Sequence, residues 1–92
     1  MSKYGCENLI CVISGGTSGI GLACAKLFLE DGAEVYLLAR NKIRGQQAVF
    51  DLKESTGREA KFISCDVTDE ASINKALAEI SEKQIDIHIN GA

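Results

Sequence analysis

With 92 residues, 46% hydrophobic and 25% charged, the sequence has the length of one small domain and enough apolar residues for a core. This balance, without a low-complexity tract, excludes a disordered chain. A formal charge of −3 and no basic stripe exclude a generic nucleic-acid binder, although a small anion can still be held locally.

Residues 1–8 are polar and are expected to fray. A first strand is predicted from Leu9 to Ser14, and Ser14-Gly15-Gly16-Thr17-Ser18-Gly19-Ile20-Gly21 follows it directly. A helix is predicted from about Gly19 to Asp31, with Ile20, Ala23, Cys24, Leu27 and Phe28 as its buried face and Gly32 as its stop. Glu34 to Ala39 is a short apolar run suited to a parallel strand covered on both faces. Asn41 is placed to cap a second helix, Lys42 to Thr56, whose weak point is Gly45, at about 1 kcal/mol relative to Ala. Gly57 ends that helix, and Ala60 to Cys65 is a third strand. Thr68 is the expected N-cap of a third helix, Asp69 to Lys83, striped by Ile73, Ala76, Leu77 and Ile80, before a fourth strand, Ile85 to Asn90. Strands alternating with helices of this length make right-handed βαβ units, hence an α/β fold with a parallel sheet and the glycine-rich stretch at the carboxyl ends of its strands.

An apolar strand, a glycine-rich turn and a helix N-terminus together seat a phosphate against backbone N–H groups. Gly15 supplies a positive φ for the turn out of the strand, Gly19 lets a pyrophosphate approach the main chain, and Gly21 lets the helix pack tightly. No Lys follows the last glycine, so a P-loop for ATP or GTP is disfavoured.

These residues resemble the cofactor loop of the short-chain dehydrogenase/reductase family, usually Thr-Gly-x-x-x-Gly-Ile-Gly, with Ser14 keeping the hydroxyl. Cys65-Asp66-Val67 resembles the family's adenine-contacting Asp-Val, and Asp86-Ile87-His88-Ile89-Asn90-Gly91-Ala92 resembles its fourth strand, usually ending Asn-Asn-Ala-Gly. The resemblance implies a Rossmann-like three-layer fold with four parallel strands in the order 3-2-1-4 and three helices. It further implies a nicotinamide dinucleotide held by Ser14, Gly15, Thr17, Ser18, Gly19, Ile20 and Gly21, with Asp66 and Val67 at the adenine and Asn90 and Ala92 by the nicotinamide ribose. An alternative for Asp66 is a turn residue bonding local N–H groups.

An NAD site wants an acid at the end of strand two, whereas a 2′-phosphate wants a cation. Here Ala39 is followed by Arg40 and Asn41, with Lys42 and Arg44 nearby, so NADP(H) is expected in preference to NAD(H). The missing acid also weighs against a methyltransferase. His88 reads as a hydrogen-bonded core residue rather than a catalyst. The four cysteines, Cys6, Cys11, Cys24 and Cys65, have no zinc-like or Cys-x-x-Cys spacing and read as reduced packing thiols, with redox sensing at Cys6 the alternative. No metal site is expected.

Carbonyl reduction needs a proton donor, which in the family resembled is the Tyr of a Tyr-x-x-x-Lys motif with a Ser beside it. Tyr4 is followed four residues later by Asn8 and Tyr36 by Arg40, so neither fits and no catalytic residue is assigned. Residues 1–92 are therefore expected to be one NAD(P)-binding Rossmann-type domain cut short after strand four, inactive alone, self-associating through the strand-four edge or the exposed sheet faces. A non-catalytic nucleotide-binding or self-assembling module is the alternative. No apolar segment approaches the roughly 20 residues that span a bilayer, and no signal-peptide layout is present, so a cytoplasmic protein without membrane contact is expected.

Overall fold

The computed structural model describes residues 8–15, 19–66, 68–80 and 85–90. Four strands and three helices alternate: β1 Ile10–Ser14, α1 Gly19–Glu30, β2 Glu34–Ala39, α2 Lys42–Thr56, β3 Lys61–Ser64, α3 Glu70–Ile80 and β4 Ile87–Asn90. The strands form one parallel sheet in the order β3-β2-β1-β4, as the family resemblance implies. Val12 lies opposite Tyr36 on one side and His88 on the other, and Leu37 lies opposite Phe62.

Alternation along the strands divides the core between the two faces of the sheet. Cys11, Ile13, Val35 and Leu37 pack with Ala25 and Leu29 of α1 and Ala48 and Leu52 of α2. Ile10, Val12, Tyr36 and Leu38 pack on the other face with Ala76 and Ile80 of α3. Central β1 is buried throughout, whereas edge strand β3 keeps Lys61 and Ser64 exposed. That is the burial expected of apolar runs that helices cover on both faces.

The buried stripe of α1 is Gly21, Ala25 and Leu29, not the predicted one. Cys24 and Phe28 are half-buried against the core, but Ala23 is exposed, and Ile20 and Leu27 are 79% and 53% exposed. The helix is apolar around nearly its whole circumference, so hydrophobic spacing permits several faces. The one placed against the sheet carries two small residues, Gly21 and Ala25, which let the helix axis approach closely.

α2 begins and ends as predicted. Arg44 N–H donates to Asn41 Oδ1 at 3.1 Å, and left-handed Gly57 returns its N–H to the Lys53 carbonyl at its C-terminus. Gly45 does not interrupt the helix, because it is buried where a side chain would meet the ring of Phe62 in β3.

α3 is capped by Asp69 rather than Thr68: Asp69 Oδ1 accepts from Ala71 N–H at 3.0 Å, and its carbonyl accepts from Ile73 N–H. Thr68 turns back toward Asp66 instead. β4 starts two residues later than predicted because Asp86 is used differently. Its N–H donates to the Ile10 carbonyl, while its carboxylate accepts the Ile10 N–H at 2.8 Å, adding a side-chain rung below the ladder.

Candidate functional site

The carboxyl ends of all four parallel strands lie at one end of the sheet, and among the described site residues Ser14, Gly15, Arg40 and Asp66 lie at or just beyond the ends of β1, β2 and β3. Ser14 ends β1, and its buried hydroxyl lies 2.9 Å from His88 Nε2 in the neighbouring strand. Gly15 follows with φ +73°, donating its N–H to the Leu38 carbonyl at 2.7 Å. The sharp exit from the strand therefore uses the positive φ expected of this glycine. At the start of α1, Gly19 has φ +59°, and a Cβ added to it would meet no atom of the described residues within 4 Å. Gly21 is buried, as close helix–sheet packing requires, and the first turn of α1 carries no acid to oppose an incoming anion.

Arg40 leaves β2 with its side chain 74% exposed, and its Nη2 lies 3.0 Å from Asp66 Oδ1. Its backbone is fixed by the Ser64 hydroxyl, which donates to the Arg40 carbonyl, while Cys65 N–H donates to the Ala39 carbonyl. Asp66 is held on several sides. Its Oδ1 accepts from Thr68 N–H at 2.9 Å and Thr68 Oγ1 at 2.6 Å, its N–H donates to Ser72 Oγ, and its carbonyl accepts from Asp69 N–H. Thr68, first through its hydroxyl and then through its N–H, and Arg40 after it, hold the Asp66 carboxyl down at about 2. The local-turn role foreseen for Asp66 is thus present, and among the described residues its Oδ2 has no hydrogen bond, leaving an acceptor available.

Because the folded value lies below the ordinary 3.8, the ionised carboxylate stabilises the fold. That contribution is complete above about pH 5 and is lost progressively as pH falls through 3.8 toward 2. Asp66→Asn is expected to flatten the acid limb of stability in this window, read from urea midpoints between pH 5 and pH 2. An equally steep limb in the variant would refute it.

Of the other predicted residues, Ile20 is exposed on the first turn of α1, and Asn41 caps α2. Asn90 pairs with Ser14 in the β1–β4 register. Thr17, Ser18, Val67 and Ala92 lie outside the described residues, as does Cys6. Cys11 and Cys65 are buried and Cys24 is half-buried, in keeping with packing thiols, and burial, with the Asp66 charge beside it, pushes the Cys65 thiol up.

His88 is hydrogen-bonded as expected but is exposed rather than in the core, because β4 is an edge strand. The Ser14–His88 contact and the Thr68 grip on Asp66 were not foreseen. The spacing Asp66-x-Thr68, typical of a side-chain-closed turn, was the one available signal for the second. Tyr36 donates its hydroxyl to Glu34 Oε1 near the amino end of β2, away from this end of the sheet. Among the described residues no three His, Cys, Asp or Glu are grouped to hold a metal, and no helix is long and apolar enough to cross a membrane.

The family model for short chain dehydrogenases matches residues 9–92. A short-chain dehydrogenase/reductase of Armillaria gallica is 38% identical over 80 residues, covering 87% of this chain and 26% of the fungal protein. L-sorbose reductase from Gluconobacter frateurii, solved with NADPH and L-sorbose, superposes with a TM-score of 0.85 at 32% identity over 96% of this chain and 34% of its own. An NAD+-bound xylitol dehydrogenase superposes with a TM-score of 0.81 at 28% identity, over 91% of this chain and 33% of that one. The chain spans about a quarter to a third of the length of these proteins. With the strand order and the glycine turn, the match over residues 9–92 places this chain in the short-chain dehydrogenase/reductase family.

Proposed function

We propose that this chain is the cofactor-binding part of an oxidoreductase that transfers hydride between NADP(H) and a carbonyl or alcohol substrate. A nicotinamide dinucleotide supplies or accepts the hydride, and the residues at the carboxyl end of the sheet fit such a ligand. On this reading Ser14, Gly15, Thr17, Ser18, Gly19, Ile20 and Gly21 hold its pyrophosphate, supported by the open space at Gly19 and the acid-free first turn of α1. Asp66 and Val67 serve the adenine, and Asn90 and Ala92 serve the nicotinamide ribose. Neither Tyr in the sequence has a Lys four residues on, so the proton donor is not among these residues, and alone they bind without turnover.

The observation that carries the NADP(H) reading is Arg40, exposed where β2 ends, with Asn41 next to it at the start of α2. A guanidinium there offers several N–H donors to a 2′-phosphate, and no carboxylate follows β2 directly to bind a ribose diol. NAD(H) binds more weakly on this reading. Arg40→Ala is expected to lower the ratio of NADPH to NADH affinity by about tenfold or more, since a hydrogen bond to a charged group contributes about 1.5–3 kcal/mol. Calorimetric titration of both dinucleotides measures it, and an unchanged ratio refutes the reading.

A second reading, self-association, is favoured by β4, which among the described residues pairs only with β1 and leaves Ile87 and Ile89 half-buried beside an open edge. Two copies joining at this edge would sediment as a dimer. A monomer at high concentration would count against it.

A further inference from the structure

Resting on the NADP(H) reading, we infer that Asp66 sets cofactor choice together with Arg40: its carboxylate occupies one arm of the guanidinium, so that a 2′-phosphate must draw the arginine away from it. The pairing thereby holds down the preference for 2′-phosphorylated ligands.

The geometry assigns unequal parts to the two residues. Asp66 is the fixed member, with its N–H, its carbonyl and Oδ1 all bonded to Ser72, Asp69 and Thr68. Arg40 is the movable one. Its main chain is tied to β3 through Ser64, but its side chain is 74% exposed and its one ion pair among the described residues is with Asp66, at 3.0 Å. A phosphate within reach of the guanidinium also meets the negative field of Asp66. The arginine must therefore be shared between two anions, only one of which is anchored by the protein.

An exposed ion pair contributes little, so the effect is a modulation rather than a block. The 0.2–1 kcal/mol typical of such pairs corresponds to at most about fivefold in affinity. Any contact between Asp66 and the adenine is common to ligands with and without the 2′-phosphate and cancels in their ratio.

The test compares adenosine 2′,5′-bisphosphate with 5′-AMP, which differ only in the 2′-phosphate, by calorimetric titration. Asp66→Asn, which keeps an oxygen for the Thr68 donors but removes the charge, is expected to raise the affinity ratio by about two- to fivefold. Asp66→Ser, smaller but still offering a hydroxyl acceptor, is the second variant should the first fail to fold, and must raise the ratio likewise. In an Arg40→Ala background either change is expected to alter the ratio by less than about twofold.

An unchanged or lower ratio in both Asp66 variants, while Arg40→Ala lowers it in the otherwise native chain, overturns the inference and leaves the NADP(H) reading standing. An equal rise with and without Arg40 also overturns it, because repulsion alone would then explain the effect. If Arg40→Ala leaves the native ratio unchanged, the NADP(H) reading itself falls.

Discussion

Leu29→Ala is expected to cost about 3 kcal/mol of stability, and Leu27→Ala, two residues earlier on the same helix, less than about 0.5 kcal/mol. Leu29 is 1% exposed in the cluster between α1 and the sheet, so shortening it loses transfer free energy and leaves a cavity among Ala25, Val35 and their neighbours. Leu27 is 53% exposed and leaves none. A domain of this size has about 5–10 kcal/mol to lose, so the first change removes a third or more of it. In urea this lowers the midpoint by about 1–2 M at an unchanged slope, whereas the second variant stays near the parent. The reverse order would restore the stripe that hydrophobic spacing alone suggests and would refute the packing of α1.

That contrast marks where the sequence was legible. The order of elements could be read because each is short, of one period and bounded by a cap or a glycine, as with Asn41 and Gly57 around α2. Gly15 could be placed because the turn that leaves β1 needs a positive φ, and the positions of Arg40 and Asp66 just after β2 and β3 follow from the order of the elements along the chain. The face of α1 could not, because nearly every position is apolar and the choice depends on how closely helix and sheet approach. The contacts of Asp66 with Arg40 and of Ser14 with His88 were also hidden. They join turns and strands 26 and 74 residues apart, and only the strand order β3-β2-β1-β4 brings them together. The placement of Thr68 failed for a local reason: Thr68 and Asp69 are both good caps, and the carboxylate of Asp66 takes the threonine's N–H and hydroxyl.

Gly45 gives the second large effect, because helix propensity and packing oppose each other there. In an exposed helix, Gly→Ala gains about 1 kcal/mol. At this position the new methyl group falls on the ring of Phe62, in the edge strand β3 against which α2 packs. The ring is half-buried against the core and cannot swing aside without exposing apolar surface, at about 2 kcal/mol. Gly45→Ala is therefore expected to destabilise the native chain by about 1 kcal/mol. The same substitution in a Phe62→Ala background meets no ring and is expected to stabilise by about 1 kcal/mol, a coupling of about 2 kcal/mol between residues in contact. Equilibrium urea unfolding of the four chains measures the cycle. The reversal of sign is the decisive feature: a Gly45→Ala that stabilises the parent as much as it stabilises Phe62→Ala would mean that α2 does not rest on β3 at this point. A reversal would explain why a residue that weakens helices stands in the middle of one, since the absent side chain lets α2 lie against the edge strand and brings the turn that carries Arg40 alongside the end of β3.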